Sequence, residues 1–174
     1  MEGEGDVHAM GGDGLTVSRQ ESVDRARAAF AYERVLAAMK GGGERYRGLA
    51  EKLPSMLQVN GLGPTLAFLA AKGSREQKTK GGRQTSHLPS VDEGKAEGRL
   101  FGDLDAWLTR AEWPQGPYNQ AAANEEPAGS FRLMCRVTGG DGLTYRRATL
   151  EALALASWLK RLSAALIEKS GKGD

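Results

Sequence analysis

The chain has 174 residues, 24 of them glycine, and sets 24 lysines and arginines against 22 acids for a net charge of +2. That length accommodates one domain with a sizeable core, while a glycine share about twice the usual one assigns much of the chain to linkers. A single cysteine excludes an internal disulfide framework, and the lack of any long unbroken apolar run excludes a membrane-spanning helix, so a soluble, cytoplasmic protein with no membrane partner is expected.

The small net charge hides a sorting of signs. Residues 1–14 hold four acids and no bases, whereas residues 15–72 hold nine bases and five acids, and residues 130–172 hold eight bases and three acids. The segments expected to fold are therefore basic, which suits either a phosphate backbone, an acidic partner or an ordinary solvated face.

Residues 1–15, rich in glycine and acids, read as a disordered tail, and residues 16–170 as one helical bundle domain. The first helix is expected over 18–40, with Ser18 and Glu21 as a capping box and three glycines after it as a stop. Its apolar residues, among them Phe30, Tyr32, Val35, Leu36 and Met39, cover most of a helical wheel and leave a narrow wedge with Arg27 and Arg34 beside Ala31 and Ala38. Such a helix is either central in the bundle or covered on a second side by another subunit. A second helix is expected over 44–58, bent near Pro54, and a third over 64–72. Between them Asn60-Gly61 and Gly63-Pro64 write a helix end and a helix start almost back to back, a tight corner flanked by Leu57, Val59, Leu62, Leu66, Phe68 and Leu69 and therefore expected in the core.

Residues 73–98 lack an apolar period and read as an inserted loop with a basic first half. A fourth helix over 96–110 carries Leu100, Phe101, Leu104, Trp107 and Leu108 at three-four spacing, and residues 111–129 form a second long insertion. Residues 130–138 alternate well enough for a strand, but a lone strand has no partner here, so a short helix is expected, with Cys135 as a small packed side chain. The last helix, 145–169, presents Ala148, Leu155, Leu159, Leu162 and Leu166 on one arc and sets Leu150 and Leu153 nearly opposite, a candidate partner-binding surface. The fold class is all-α, a small bundle of five to six helices with long irregular insertions.

Residues suited to catalysis are sparse. His8 and His87 lie in the tail and the first insertion without a credible metal partner, no glycine-rich phosphate loop ends in Gly-Lys-Ser/Thr, and Asp103 and Asp105 stand two apart on a helix, pointing to different sides. No enzyme activity, cofactor or metal is expected.

Three strings carry a family resemblance: Leu53-Pro54 with Asn60-Gly61-Leu62-Gly63 and Thr65-Leu66-Ala67-Phe68; Tyr145-Arg146 with Ala148-Thr149, Glu151-Ala152-Leu153-Ala154-Leu155 and Trp158-Leu159-Lys160-Arg161; and, more weakly, Arg25-Ala26 with Tyr32-Glu33 and Val35. Together spanning roughly half of the chain, they resemble the small helical subunit of the Cmr-type (type III-B) CRISPR RNA-guided effector complex. The resemblance implies a non-catalytic all-α bundle that stacks with copies of itself as a minor filament. Its implied partners are the other subunits of the complex and the backbones of guide RNA and target RNA. On that expectation the candidate nucleic-acid-binding residues are Arg27, Arg34, Lys52, Arg146, Arg147 and Lys160, and the candidate subunit contacts are Leu150 and Leu153. Trp107 and Trp158 are expected in the core, whereas Trp113 could stack on a base. A rival reading is a free-standing helical adaptor that binds a protein partner without nucleic acid.

Overall fold

The computed structural model describes residues 19–41, 43–74, 91–110, 117–118 and 132–169. The tail 1–15, both histidines, Trp113 and most of the two insertions lie outside the described residues. Among the described residues six helices follow in chain order: α1 Arg19–Met39, α2 Glu44–Asn60, α3 Leu62–Gly73, α4 Ala96–Leu108, α5 Arg132–Gly139 and α6 Gly142–Leu166. The all-α bundle expected from the sequence is thus the observed architecture, and among the described residues the only β pairing is an isolated bridge from Ser74 to Val91.

The longest helix, α6, packs along α1 and α2, while α3 and α4 pair with each other and α4 lies across α1, α2 and α6. Contacts at both ends fix the directions. Gly63 at the start of α3 meets Tyr145, and Arg47 near the start of α2 donates to the Ile167 carbonyl, so α2 runs antiparallel to α6. Arg27 meets Glu151 and Gly43 meets Ile167, the same interval along both segments, so α1 runs parallel to α6.

The corner after α2 turns on one residue. Gly61 has φ 82°, a left-handed conformation that side chains resist, and its N–H donates to the Leu57 carbonyl at 3.1 Å. Helix α3 then starts at Leu62, two residues earlier than Pro64. The Gly63 amide donates to the Tyr145 hydroxyl at 3.1 Å, so two of the strings that carry the resemblance touch at this corner. At the other end of the same contact, α6 starts at Gly142 rather than Tyr145, because the Asp141 carboxylate accepts from the Leu143 and Thr144 amides at 2.9 Å each. A cap of this kind contributes about 1 kcal/mol.

Helix α1 is turned differently from the expectation. Most of the wedge read as its polar side is buried: Arg27, Ala31 and Ala38 point inward beside the apolar Val35, while Tyr32, Leu36 and Met39 are exposed. Small residues allow close approach of the neighbouring helices, and Arg27 can be inside because an acid waits there. In α5 the expected helix forms, but Cys135 is exposed. Leu133 and Val137, one helical turn apart, take the inward positions, and residue 135 between them rotates away.

The ends of the first insertion are held together. The Asp92 amide donates to the Gly73 carbonyl at 2.8 Å, and Gly98 lies so close that an added Cβ would stand 2.1 Å from the Asp92 carbonyl oxygen. Because the obstacle is backbone on both sides, no side-chain rotation relieves it. Gly98→Ala is therefore expected to lower the free energy of unfolding by about 2–4 kcal/mol in urea denaturation.

Candidate functional site

A row of polar contacts runs through the bundle along α4. Its most connected member is Glu151 of α6, whose Oε1 accepts from Arg27 Nε at 2.6 Å and Trp107 Nε1 at 2.8 Å, and whose Oε2 accepts from Arg27 Nη2 at 2.8 Å. The fork of Arg27 is thus matched to one carboxylate, with Asp24 adding a contact at 3.3 Å. The Glu151 hydrogen bond raises the Arg27 pKa against the effect of burial, so the guanidinium stays charged. At 7% exposure, Arg27 is an internal ion-pair member and offers no cation to a strand. It leaves the candidate nucleic-acid set for that reason.

One turn earlier on α4, Asp103 is buried and accepts from the Tyr46 hydroxyl at 2.7 Å, with Arg34 Nε 3.5 Å from its other oxygen. Burial pushes the Asp103 carboxyl up to about 6, and the Tyr46 hydrogen bond with the charges of Arg34 and Arg99 only partly oppose it. Burial and the Asp103 charge hold the Tyr46 phenol far above its ordinary value, so it acts as a neutral donor. Arg34 is half-exposed, and its guanidinium also lies 4.8 Å over the Phe30 ring, which tilts against Trp107. It can reach outward with one face only.

The remaining candidates lie outside. Lys52 on α2 and Arg146, Arg147 and Lys160 on α6 are exposed, and Lys52, Arg146 and Lys160 have no acidic partner among the described residues. The two leucines proposed as subunit contacts divide. Leu150 is 62% exposed, but Leu153 packs partly buried against the core, because three residues along a helix rotate it back toward the inward arc of Ala152 and Ala156. Leu150 instead shares its face with Leu143, seven residues earlier and also exposed, which sequence reasoning passed over because the helix start was set too late. Tyr32, Leu36 and Met39 form a second outward apolar patch on α1, and Val59 and Phe68, expected in the core at the α2–α3 corner, are exposed because they lie on the helix faces opposite the buried Leu57, Leu62, Leu66 and Leu69. Of the tryptophans, Trp107 is fully buried, and Trp158 is half-buried with its Nε1 donating to Asp24 at 3.0 Å. Among the described residues no group of three acids, histidines or cysteines is placed to hold a metal ion, and no helix is long and apolar enough to cross a membrane.

Fold and site together define a small basic helical bundle organised around exterior cations and outward apolar patches. Residues 23–166 match the family described as CRISPR-associated protein (Cas_Cmr5), and the chain belongs to that family. A curated relative, the CRISPR system Cmr subunit Cmr5 of Thermus thermophilus, is 31% identical over 140 residues, covering 80% of this chain and 90% of the relative.

The buried Asp103 gives the fold a measurable pH signature. Its native pKa lies above the ordinary 3.8, so as pH falls from about 6 toward 4 the folded chain takes up a proton that the unfolded chain does not. The group therefore adds stability on acidification and loses it as pH rises through 6. Comparing Asp103→Asn with the wild type in urea cancels the other titrations. Between pH 7 and about 4.5 the wild type is expected to gain roughly 2 kcal/mol relative to the variant.

Proposed function

We propose that the chain is a non-catalytic small subunit of a type III-B CRISPR ribonucleoprotein effector complex, stacking in several copies as a minor filament and contacting the backbone of the guide and target RNA in antiviral defence. The observation that carries this reading is membership of the Cmr5 family across residues 23–166. The relative's description as a Cmr subunit supports assembly with other subunits. Two different apolar patches, one on α1 and one at the start of α6, support stacking: a head-to-tail contact uses two unlike surfaces and repeats without closing.

The exposed Lys52, Arg146 and Lys160, with Arg147 and the outer face of Arg34, are the cations that this reading assigns to RNA. Contacts of this type position a strand without reading its bases, which suits a complex in which the guide supplies sequence recognition by pairing. They are individually weak and gain from repetition along a filament.

The reading is tested in the assembled complex by replacing Lys52, Arg146 and Lys160 with glutamine and titrating target RNA against salt. The slope of log affinity against log salt is expected to fall by roughly 0.7–0.9 for each phosphate that a copy no longer neutralises. An unchanged slope removes RNA from this surface and leaves the protein-binding adaptor as the better reading.

A further inference from the structure

At the far end of α2 from the Gly61 corner, the bundle holds a cleft of about 470 Å³. Four chain segments meet there: the end of α1 with its following turn, the start of α2, the end of α3 and the start of α4. Each segment contributes to a lining that carries four cations, Arg45, Lys72, Lys95 and Arg99, and one carboxylate, Glu97.

The charge within this cleft is poorly balanced. Burial acts to raise the pKa of Glu97, but the hydrogen bond from Arg45, made at 2.7 Å, with a backbone amide and the charges of Arg45 and Lys72, holds it below the usual carboxylate range. Glu97 is therefore ionised and offsets one cation. The other three are held by neutral groups or by none. Lys95 donates to the Ser74 carbonyl at 2.8 Å, and Arg99 donates to the carbonyls of Glu93 and Ala37 at 3.2 Å each. Carbonyl acceptors fix the position of a cation without cancelling its charge. Lys72, exposed in the last turn of α3, forms no salt bridge among the described residues. Of the nearby acids, Asp92 turns onto the Gly94 amide at 3.0 Å, Asp103 faces the interior against Tyr46, and Glu44 and Glu93 are exposed outside the lining.

The backbone adds to the same bias. Helices α2 and α4 both start at this cleft, after Gly43 and Lys95, and neither has a side-chain cap, so amides of two helix starts border it. Gly41 lets the Arg99 guanidinium lie on the turn after α1, where a Cβ would stand 3.1 Å from Nη2.

We infer that this cleft is a phosphate site, taking a compact anion of two or more charges such as a phosphate monoester or a diphosphate. Cations that converge from three segments, the start of α2, the end of α3 and the start of α4, grip a point-like group, whereas a row of cations along a helix tracks a strand. The site is distinct from the Lys52, Arg146 and Lys160 surface and does not depend on that surface binding RNA. A phosphate monoester can come from a free nucleotide or from the end of an oligonucleotide.

The test is calorimetric titration of the full chain at low salt with pyrophosphate, AMP, adenosine, and RNA decamers with and without a 5′-phosphate. Pyrophosphate and AMP are expected to bind saturably at one site and adenosine not at all. Lys72→Glu, at an exposed helix end, is expected to weaken both by at least about tenfold with unchanged helical content. The double variant Arg25→Gln with Arg161→Gln removes the same net charge from exposed positions outside the cleft and is expected to change binding no more than about twofold. Tighter binding of the 5′-phosphorylated decamer assigns the site to an RNA end, and equal binding of both decamers with AMP binding intact assigns it to a free nucleotide. Absence of saturable pyrophosphate binding, or equal losses in the two charge-matched variants, overturns the proposal.

Discussion

The arrangement of this bundle rests on the carboxylate of Glu151. It is placed on α6, the helix that packs along both α1 and α2, and it gathers the Arg27 fork from α1 and the Trp107 indole from α4. Each of the three side chains is costly to bury alone, and together they satisfy one another. A buried charge left without its partner costs about 3–5 kcal/mol. That magnitude is a large part of the whole stability of a domain this size. Helices α1, α4 and α6 are therefore held in one register relative to one another, and the surfaces that they turn outward follow from that register.

The interior takes some charges and leaves others outside. Arg27 is spent on Glu151, and Asp103 is shared between Tyr46 and Arg34. What remains outside is a set of cations on α2 and α6, two apolar patches, and the cleft where α1, α2, α3 and α4 meet. A chain with a net charge of only +2 can thus present strongly cationic local surfaces. Orienting α1 by its small residues also leaves Tyr32, Leu36 and Met39 outside.

The helices were legible because their signals are local. The periodicity of Leu100, Phe101, Leu104, Trp107 and Leu108, and the turn residues around Gly61, act within a few residues of themselves, and the observed elements lie close to the expected ones. The orientation of α1 was not legible in the same way. Counting apolar residues on a wheel assumes that size decides burial, but here alanines face inward because close helix packing favours them, and Arg27 joins them because its partner stands 124 residues away. The same limit hid the pairing of Asp103 with Tyr46, which links residues 57 apart. Cys135 is exposed although apolar Met134 and Val137 flank it, because burial on a helix follows the face and not the immediate neighbours, and Leu153 lies on a shoulder of the buried arc, not on its opposite side. The exterior lysines and Arg146 could be named in advance, whereas the cleft could not, since its cations are scattered from Arg45 to Arg99 along the chain.

A double-mutant cycle on Arg27→Met and Glu151→Leu, read by urea denaturation, bears most directly on the Glu151 node. Each single substitution strands a buried group and is expected to cost about 3–5 kcal/mol, while the double variant loses far less than the sum, with a coupling of at least about 2 kcal/mol. Additive losses would contradict the account, because they would mean that Arg27 and Glu151 do not act on each other in holding α1 to α6.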